Sequence, residues 1–263
     1  MPELPEVETV VRSLATHVSG HAIIEASFTS KRVTRRGFAA TSKALRGAII
    51  QKMERRGKHI LIHLNCGLLH VHLGMTGKLL WNAENTPYTR AVIELANGIL
   101  VYDDVRQFGR VEFYPTIPKN IVALGPEPLD ITFEEFERRL GSRDLRIKAL
   151  LLDQRFLAGI GNIYADEALF AAGIHPATPA SRLSRKRARR LYDSIRSVLE
   201  LAISLRGSSI SNYVDGSGAR GEFQTMHQVY GRMGLPCARC GRPIRRIVIA
   251  QRGTHYCPKC QRL

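Results

Sequence analysis

The chain has 263 residues, enough for two domains with separate cores. Its 39 lysines and arginines outnumber 23 aspartates and glutamates, a net charge of +16 that draws polyanions, nucleic acid before an acidic membrane surface. No apolar run is long enough to span a membrane, the acidic opening MPELPEVETV is not a secretory signal, and most of the five cysteines crowd the C-terminus, so a reducing, cytoplasmic location is expected.

Residues 5–19 read as an amphipathic helix, with Val7, Val10, Val11, Leu14 and Val18 on one face. Pro5 suits its first turn, Glu6 and Glu8 complement its positive end, and Gly20 stops it. From 22 to 114 the pattern is strand. HILIHL and LLHVHL flank Asn65-Cys66-Gly67, and AVIEL and ILVYDD flank Asn97-Gly98; both read as hairpins of a β-sandwich. Pro115, Pro118, Pro126 and Pro128 make 115–130 a linker. Helices follow. Thr132 and Glu135 form a capping box for a helix closed by Gly141, and Ser142 caps the next. Asn162 caps a helix running to about Ala172, and Ser184 begins one to about Leu205. The fold class is therefore α+β: a β-sandwich flanked by helices over 1–130, a helical domain over 131–230, and a small module over 231–263 that contains no acidic residue.

That last module carries Cys237-x-x-Cys240 and Cys257-x-x-Cys260 around a strand–turn–strand pattern. Two such knuckles complete a tetrahedral four-thiolate site with no open position, so one structural zinc ion is expected. A hairpin this small buries too little apolar surface to fold without it. Arg252-Gly253 is placed at the hairpin tip, where an arginine suits a phosphate equally as well as it suits solvent. Cys66 falls in a turn and carries no assigned role.

The opening PELPEVET also has chemical content. Removal of Met1 would free the secondary amine of Pro2, and an α-amino group titrates near about 8, leaving some of it neutral. Such an amine can attack an electrophilic sugar carbon and form an iminium, with Glu3 and Glu6 as acid/base candidates. Taken alone, the segment reads more simply as a helix lead-in.

MPELPEVET, HLGMTGKL, VRQFGR, AGIGNIYADEALFAAGIHP and the C-terminal AQRGTHYCPKC together resemble the bacterial formamidopyrimidine-DNA glycosylases, over the whole chain and in that family's order. The resemblance implies a helix–two-turns–helix motif in the helical domain and a zinc finger after it. It also implies removal of oxidised purines such as 8-oxoguanine from double-stranded DNA, followed by β,δ-elimination, by an enzyme expected to be monomeric and to have no membrane partner. By position in the motifs, Pro2 would be the nucleophile, Glu3 the proton donor and acceptor, Glu6 an organiser of the pocket, and Lys58 a phosphate contact. Met75, Arg106 and Phe108 would fill the void left by the flipped base, and Asn162 and Arg252 would grip phosphate. Apolar wedges and a planar donor fork fit the void-filling task, although without the resemblance Met75 and Phe108 would be read as sandwich core. Tyr164 more plausibly packs than reacts. The stretch 213–223 corresponds to a mobile loop covering the everted base, against a plain surface loop as the alternative.

Two positions depart from the family pattern: Arg90 stands where a phosphate-contacting histidine is common, and Gln107 where a basic residue is frequent. Arg90 can serve the same anion. Leu4, Met75 and Phe108 favour the purine enzymes over the sister endonuclease VIII type. A basic zinc-finger binder without catalysis would explain the charge and the cysteines but has no need of Pro2 and Glu3.

Overall fold

A computed structural model describes residues 1–141 and 144–263. It divides the chain into two compact units: 1–123 with 205–224, and 124–204 with 225–263. The first unit opens with helix α1 (Leu4–Val18), whose face of Val7, Val10, Val11, Leu14 and Val18 is buried as the 3.6-residue spacing requires. Each such side chain contributes about 1.5–3 kcal/mol relative to exposure. Strands β1 (Ile23–Phe28), β6 (Thr89–Leu95), β7 (Gly98–Asp103) and β5 (Lys78–Trp81) form one antiparallel sheet in that order. Strands β2 (Ile50–Arg56), β3 (His59–Leu64), β4 (Gly67–His72) and β8 (Arg110–Tyr114) form the other. Their inner faces, from Ile23 and Ile93 on one sheet to Ile60, Ile62 and Val71 on the other, share one core with α1. This is the expected sandwich, and both expected hairpins are present, β3–β4 and β6–β7. Helix α2 (Phe38–Leu45) packs on β1.

The proline-rich stretch is not wholly irregular. Pro118 starts a single turn, α3 (Lys119–Val122), because a proline lacking its N–H is no loss at a helix start. In the second unit, α4 (Phe133–Gly141) begins with the Glu135 N–H donating to the Thr132 hydroxyl at 3.3 Å. The expected cap Ser142 lies outside the described residues; the next helix, α5 (Ile147–Leu152), starts after Arg146. Helix α6 (Asn162–Ala172) corrects one expectation. Its cap is Gly161, and Asn162 is its first helical residue, with the side chain turned elsewhere. Gly173 ends it in the left-handed conformation. Helix α7 (Arg185–Ser204) follows Ser184. Strands β9 (Arg245–Ile249) and β10 (Arg252–Tyr256) form the C-terminal hairpin. Its turn is Ala250–Gln251, not Arg252-Gly253. Both turn residues have positive φ, 49° and 59°, the pairing a two-residue hairpin demands, and Arg252 is the first residue of β10. Among the described residues, no helix is long and apolar enough to cross a membrane.

Candidate active site and nucleic-acid interface

Pro2, Glu3 and Glu6 are all buried at the start of α1. Burying two carboxyl groups is costly unless each finds donors. Glu6 finds two backbone donors: its Oε2 accepts the Glu3 N–H at 2.8 Å, and its Oε1 accepts the Ser208 N–H at 2.7 Å. Glu6 thus ties the first helical turn to the returning segment 205–224. Tyr213 adds a second tie, its hydroxyl donating to the Glu6 carbonyl at 3.2 Å. Burial holds the Tyr213 phenol well above its usual range, so it remains a donor.

The stretch 213–223 is better anchored than a bare lid. One Asp215 carboxylate oxygen accepts from the Ser217 and Ala219 N–H groups and the Ser217 hydroxyl. Gly216 donates to the Ser13 hydroxyl and accepts from the Trp81 N–H. The exposed run is Ile210 to Asn212, just before it.

Lys58 sits in the β2–β3 turn after Gly57 and is buried. Beside it, on the outer face of the sheet, stand His59, His70 and His72. Nothing in the motif reading singled these histidines out; the alternation of LLHVHL is the only signal that would have put His70 and His72 on one face.

Met75, Arg106 and Phe108 come together on the surface of the first unit. Met75 is 43 % exposed and Phe108 51 %, so neither belongs to the sandwich core. The Arg106 guanidinium reaches Met75 Sδ at 3.3 Å and lies over the Phe108 ring at 4.6 Å. The group that holds their two loops together is Asp104, fully buried. It accepts the Thr76 hydroxyl on one oxygen and the Gly109 N–H, at 2.8 Å, on the other; Thr76 in turn accepts the Arg106 N–H at 3.0 Å. Arg90 is directed to the Asp104 carbonyl at 3.1 Å.

In the second unit, Asn162 and Arg252 are joined through the backbone. Asn162 Nδ2 donates to the Gly253 carbonyl at 2.8 Å, while its Oδ1 is buried without a partner. Beneath them lies a fully buried pair that the motifs did not reveal. Lys148 Nζ donates to Asp166 and to the Asn162 carbonyl, and the other Asp166 oxygen accepts the His255 N–H at 2.8 Å. Tyr164 is buried, as expected of a packing residue.

The four C-terminal cysteine sulfurs lie within 4.8 Å of one another. Cys237 and Cys260 are 3.9 Å apart, and Cys240 and Cys257 3.4 Å. A zinc ion bound at about 2.3 Å in tetrahedral geometry separates its sulfurs by about 3.8 Å, so the donor set fits one structural zinc and leaves no position for substrate.

A sandwich that opens on a buried proline and two buried glutamates, a helical unit and a four-cysteine finger suited to zinc define the class: an α+β protein with a structural metal site. Family models match all three parts: the formamidopyrimidine-DNA glycosylase N-terminal domain at 1–111, its H2TH domain at 124–214, and the zinc finger found in FPG and IleRS at 234–263. The formamidopyrimidine-DNA glycosylase of Solibacter usitatus is 51% identical over 264 residues, covering 100% of both chains. The crystal structure of the MutM (FPG) protein from Thermus thermophilus superposes with a TM-score of 0.90 at 45% identity, covering 99% of this chain and 98% of that one. A Lactococcus lactis FPG mutant in complex with Fapy-dG-containing DNA gives 0.91 at 39% identity, with 100% of both chains covered. The chain belongs to the formamidopyrimidine-DNA glycosylase family.

Proposed function

We propose that the chain excises oxidised purines from double-stranded DNA and then cleaves the strand, working as a monomer with Pro2 as nucleophile. The observation that carries this is the start of α1, where a buried Pro2 is followed at once by two buried glutamates, Glu3 and Glu6, the second held by donors from both ends of the unit. After Met1 is removed, the Pro2 nitrogen forms a bond to the sugar C1′ as the glycosidic bond breaks and the base leaves with a proton. The sugar ring then opens: the C1′–O4′ bond breaks, O4′ takes a proton, and the iminium that forms at C1′ makes the C2′ proton acidic. Its removal expels the 3′ phosphate, and a second elimination expels the 5′ phosphate. Glu3 is assigned to carry protons to and from the sugar and the leaving base. Glu6 fixes the helix start that presents them.

A target base must leave the stack to be reached, and Met75, Arg106 and Phe108 are assigned to the space it vacates. Their exposure and mutual contact support this. Lys58, Arg90, Asn162 and Arg252 are assigned to backbone phosphates, which position the duplex without reading its sequence. The boundaries 1–130, 131–230 and 231–263 describe the chain's functional parts, with 205–224 lending its backbone to the first.

Sodium borohydride trapping on 8-oxoguanine duplex tests the chemistry. A covalent complex that disappears in Pro2→Gly is the expected result. A complex with an oxidised pyrimidine alone would move the specificity to the sister enzymes. No complex on any lesion or abasic site, from protein whose mass shows Met1 removed, would leave a zinc-containing DNA binder.

A further inference from the structure

The three imidazoles beside Lys58 form a directional chain. His59 opens β3 immediately after Lys58 and stands opposite His72 of β4 in the strand register, with the two rings 4.9 Å apart. His70 lies on the same face. His59 Nδ1 and His70 Nε2 are 2.8 Å apart, so one N–H lies between them. Which ring supplies it follows from burial. His70 is 4% exposed, and its Nδ1 is buried with no partner. A proton there would be an orphaned buried donor, rarer in proteins than an under-used acceptor. His70 therefore carries its proton on Nε2 and donates it to His59 Nδ1. That leaves the proton of His59 on Nε2. His72 reaches the same state by another route, because its Nδ1 accepts the Gly74 N–H at 3.2 Å.

The surroundings favour neutral rings. Burial lowers His59 to about 2 and His70 and His72 to about 4, and Lys58, Arg56 and Arg110 push in the same direction. Glu112, opposite His70 in the strand register, is engaged by the Tyr114 hydroxyl at 2.6 Å and the Arg35 N–H at 3.2 Å. An imidazole that keeps an Nε2–H next to Lys58, with Arg56 and Arg110 also near, suits an anion. Further positive charge would add repulsion, whereas a neutral imidazole adds a hydrogen-bond donor without it.

We propose that His59 is a second ligand for the backbone phosphate assigned to Lys58, offering a neutral Nε2–H donor, and that His70 is the positioning residue that fixes its tautomer. The inference rests on the reading of the β2–β3 turn as a DNA contact. It differs from a purely structural role for the imidazoles in its effect on salt dependence. Loss of a charged contact flattens the plot of log K against log salt by about 0.9, whereas loss of a neutral donor lowers the line and leaves its slope.

The experiment measures binding to a duplex carrying a tetrahydrofuran abasic analogue across a salt series. His59→Phe is expected to weaken binding about 5- to 30-fold with the slope unchanged. Lys58→Met is expected to weaken it and flatten the slope. His70→Leu should reproduce part of the His59→Phe loss, and His70→Gln, which keeps a donor for His59 Nδ1, should restore it. Nitrogen-15 spectra of the wild-type protein should show His59 protonated on Nε2, a readout that needs no variant to fold. Wild-type affinity in His59→Phe, a slope reduced by a full contact in that variant, or an Nδ1–H tautomer would each overturn the proposal. An effect at Lys58 alone overturns only the part played by His59. No effect at either residue removes the DNA contact from this turn, and the proposal with it.

Discussion

At the scale of single residues, the site depends on carboxylates that never face solvent. Asp104 accepts hydrogen bonds from both loops that carry Met75, Arg106 and Phe108. Replacing it with leucine leaves the Gly109 N–H buried without an acceptor, a cost of about 1–3 kcal/mol. Asp104→Leu is therefore expected to lower the melting temperature and, on duplex DNA, to lose lesion excision more than non-specific affinity. Equal losses in both would mean that the two loops are not organised through Asp104. Glu6 depends on a neighbour in the same way. Gly207 has φ +77°, and a Cβ there would lie 2.6 Å from Glu6 Oε1. Gly207→Ala should thus destabilise by about 1–3 kcal/mol, through both backbone strain and displacement of the carboxylate. Urea unfolding checks it, and an unchanged midpoint would show that the segment shifts freely away from α1.

At the scale of elements, α5, α6 and the C-terminal hairpin are joined by the buried ion pair of Lys148 and Asp166. Removing one partner leaves an uncompensated buried charge, about 3–5 kcal/mol, while replacing both with apolar residues is close to neutral. Asp166→Leu alone should be severely destabilising and Lys148→Met with Asp166→Leu much less so. Additive losses in a double-mutant cycle would show that the pair carries no coupling. This pair also marks where the sequence stops being legible. The hairpins β3–β4 and β6–β7 could be read because alternation and turn residues are local. A lysine in a helix of leucines reads as solvent-facing until its aspartate, eighteen residues on, is known to be buried as well. Asn162 reads as a cap because asparagine favours caps, but the Gly253 carbonyl claims its side chain and a glycine takes the cap. The hairpin turn is hard to place for a related reason. Gly253 advertises a turn, yet Ala250 and Gln251 adopt the positive φ values, held there by the pairing of β9 with β10. The exposure of Met75 and Phe108 ran against their residue types and followed only from family motifs, and the return of 205–224 to the first unit has no periodic signature at all.

At the scale of the whole molecule, the excess of 39 basic over 23 acidic residues and the buried histidines both act against the folded state in acid. His59, His70, His72 and His227 all have pKa values pushed far below the ordinary imidazole value by burial, to between about 2 and about 4. Unfolded, each binds a proton near about 6.5, so between there and about 4 the unfolded chain holds more protons than the folded one. Stability therefore rises with pH across this window and is lost as the pH falls through it, each histidine contributing a slope of at most about 1.4 kcal/mol per pH unit. Glu8 and Glu54, held below the usual carboxylate value despite burial by Arg55 and Arg12 and by Lys52 and His63, add a further loss lower down. Self-repulsion of the net charge grows in the same direction as carboxylates protonate, but the two causes respond differently to salt. Charge repulsion across the surface is screened within a Debye length of about 8–10 Å, whereas burial of an imidazole is not. Melting temperatures from pH 7.5 to 4.5 at low and high salt separate them. A fall that persists at high salt and shrinks in a variant with His59 and His70 replaced by apolar residues is the expected outcome. A fall that salt abolishes would assign the acid sensitivity to net charge and free the histidines of it.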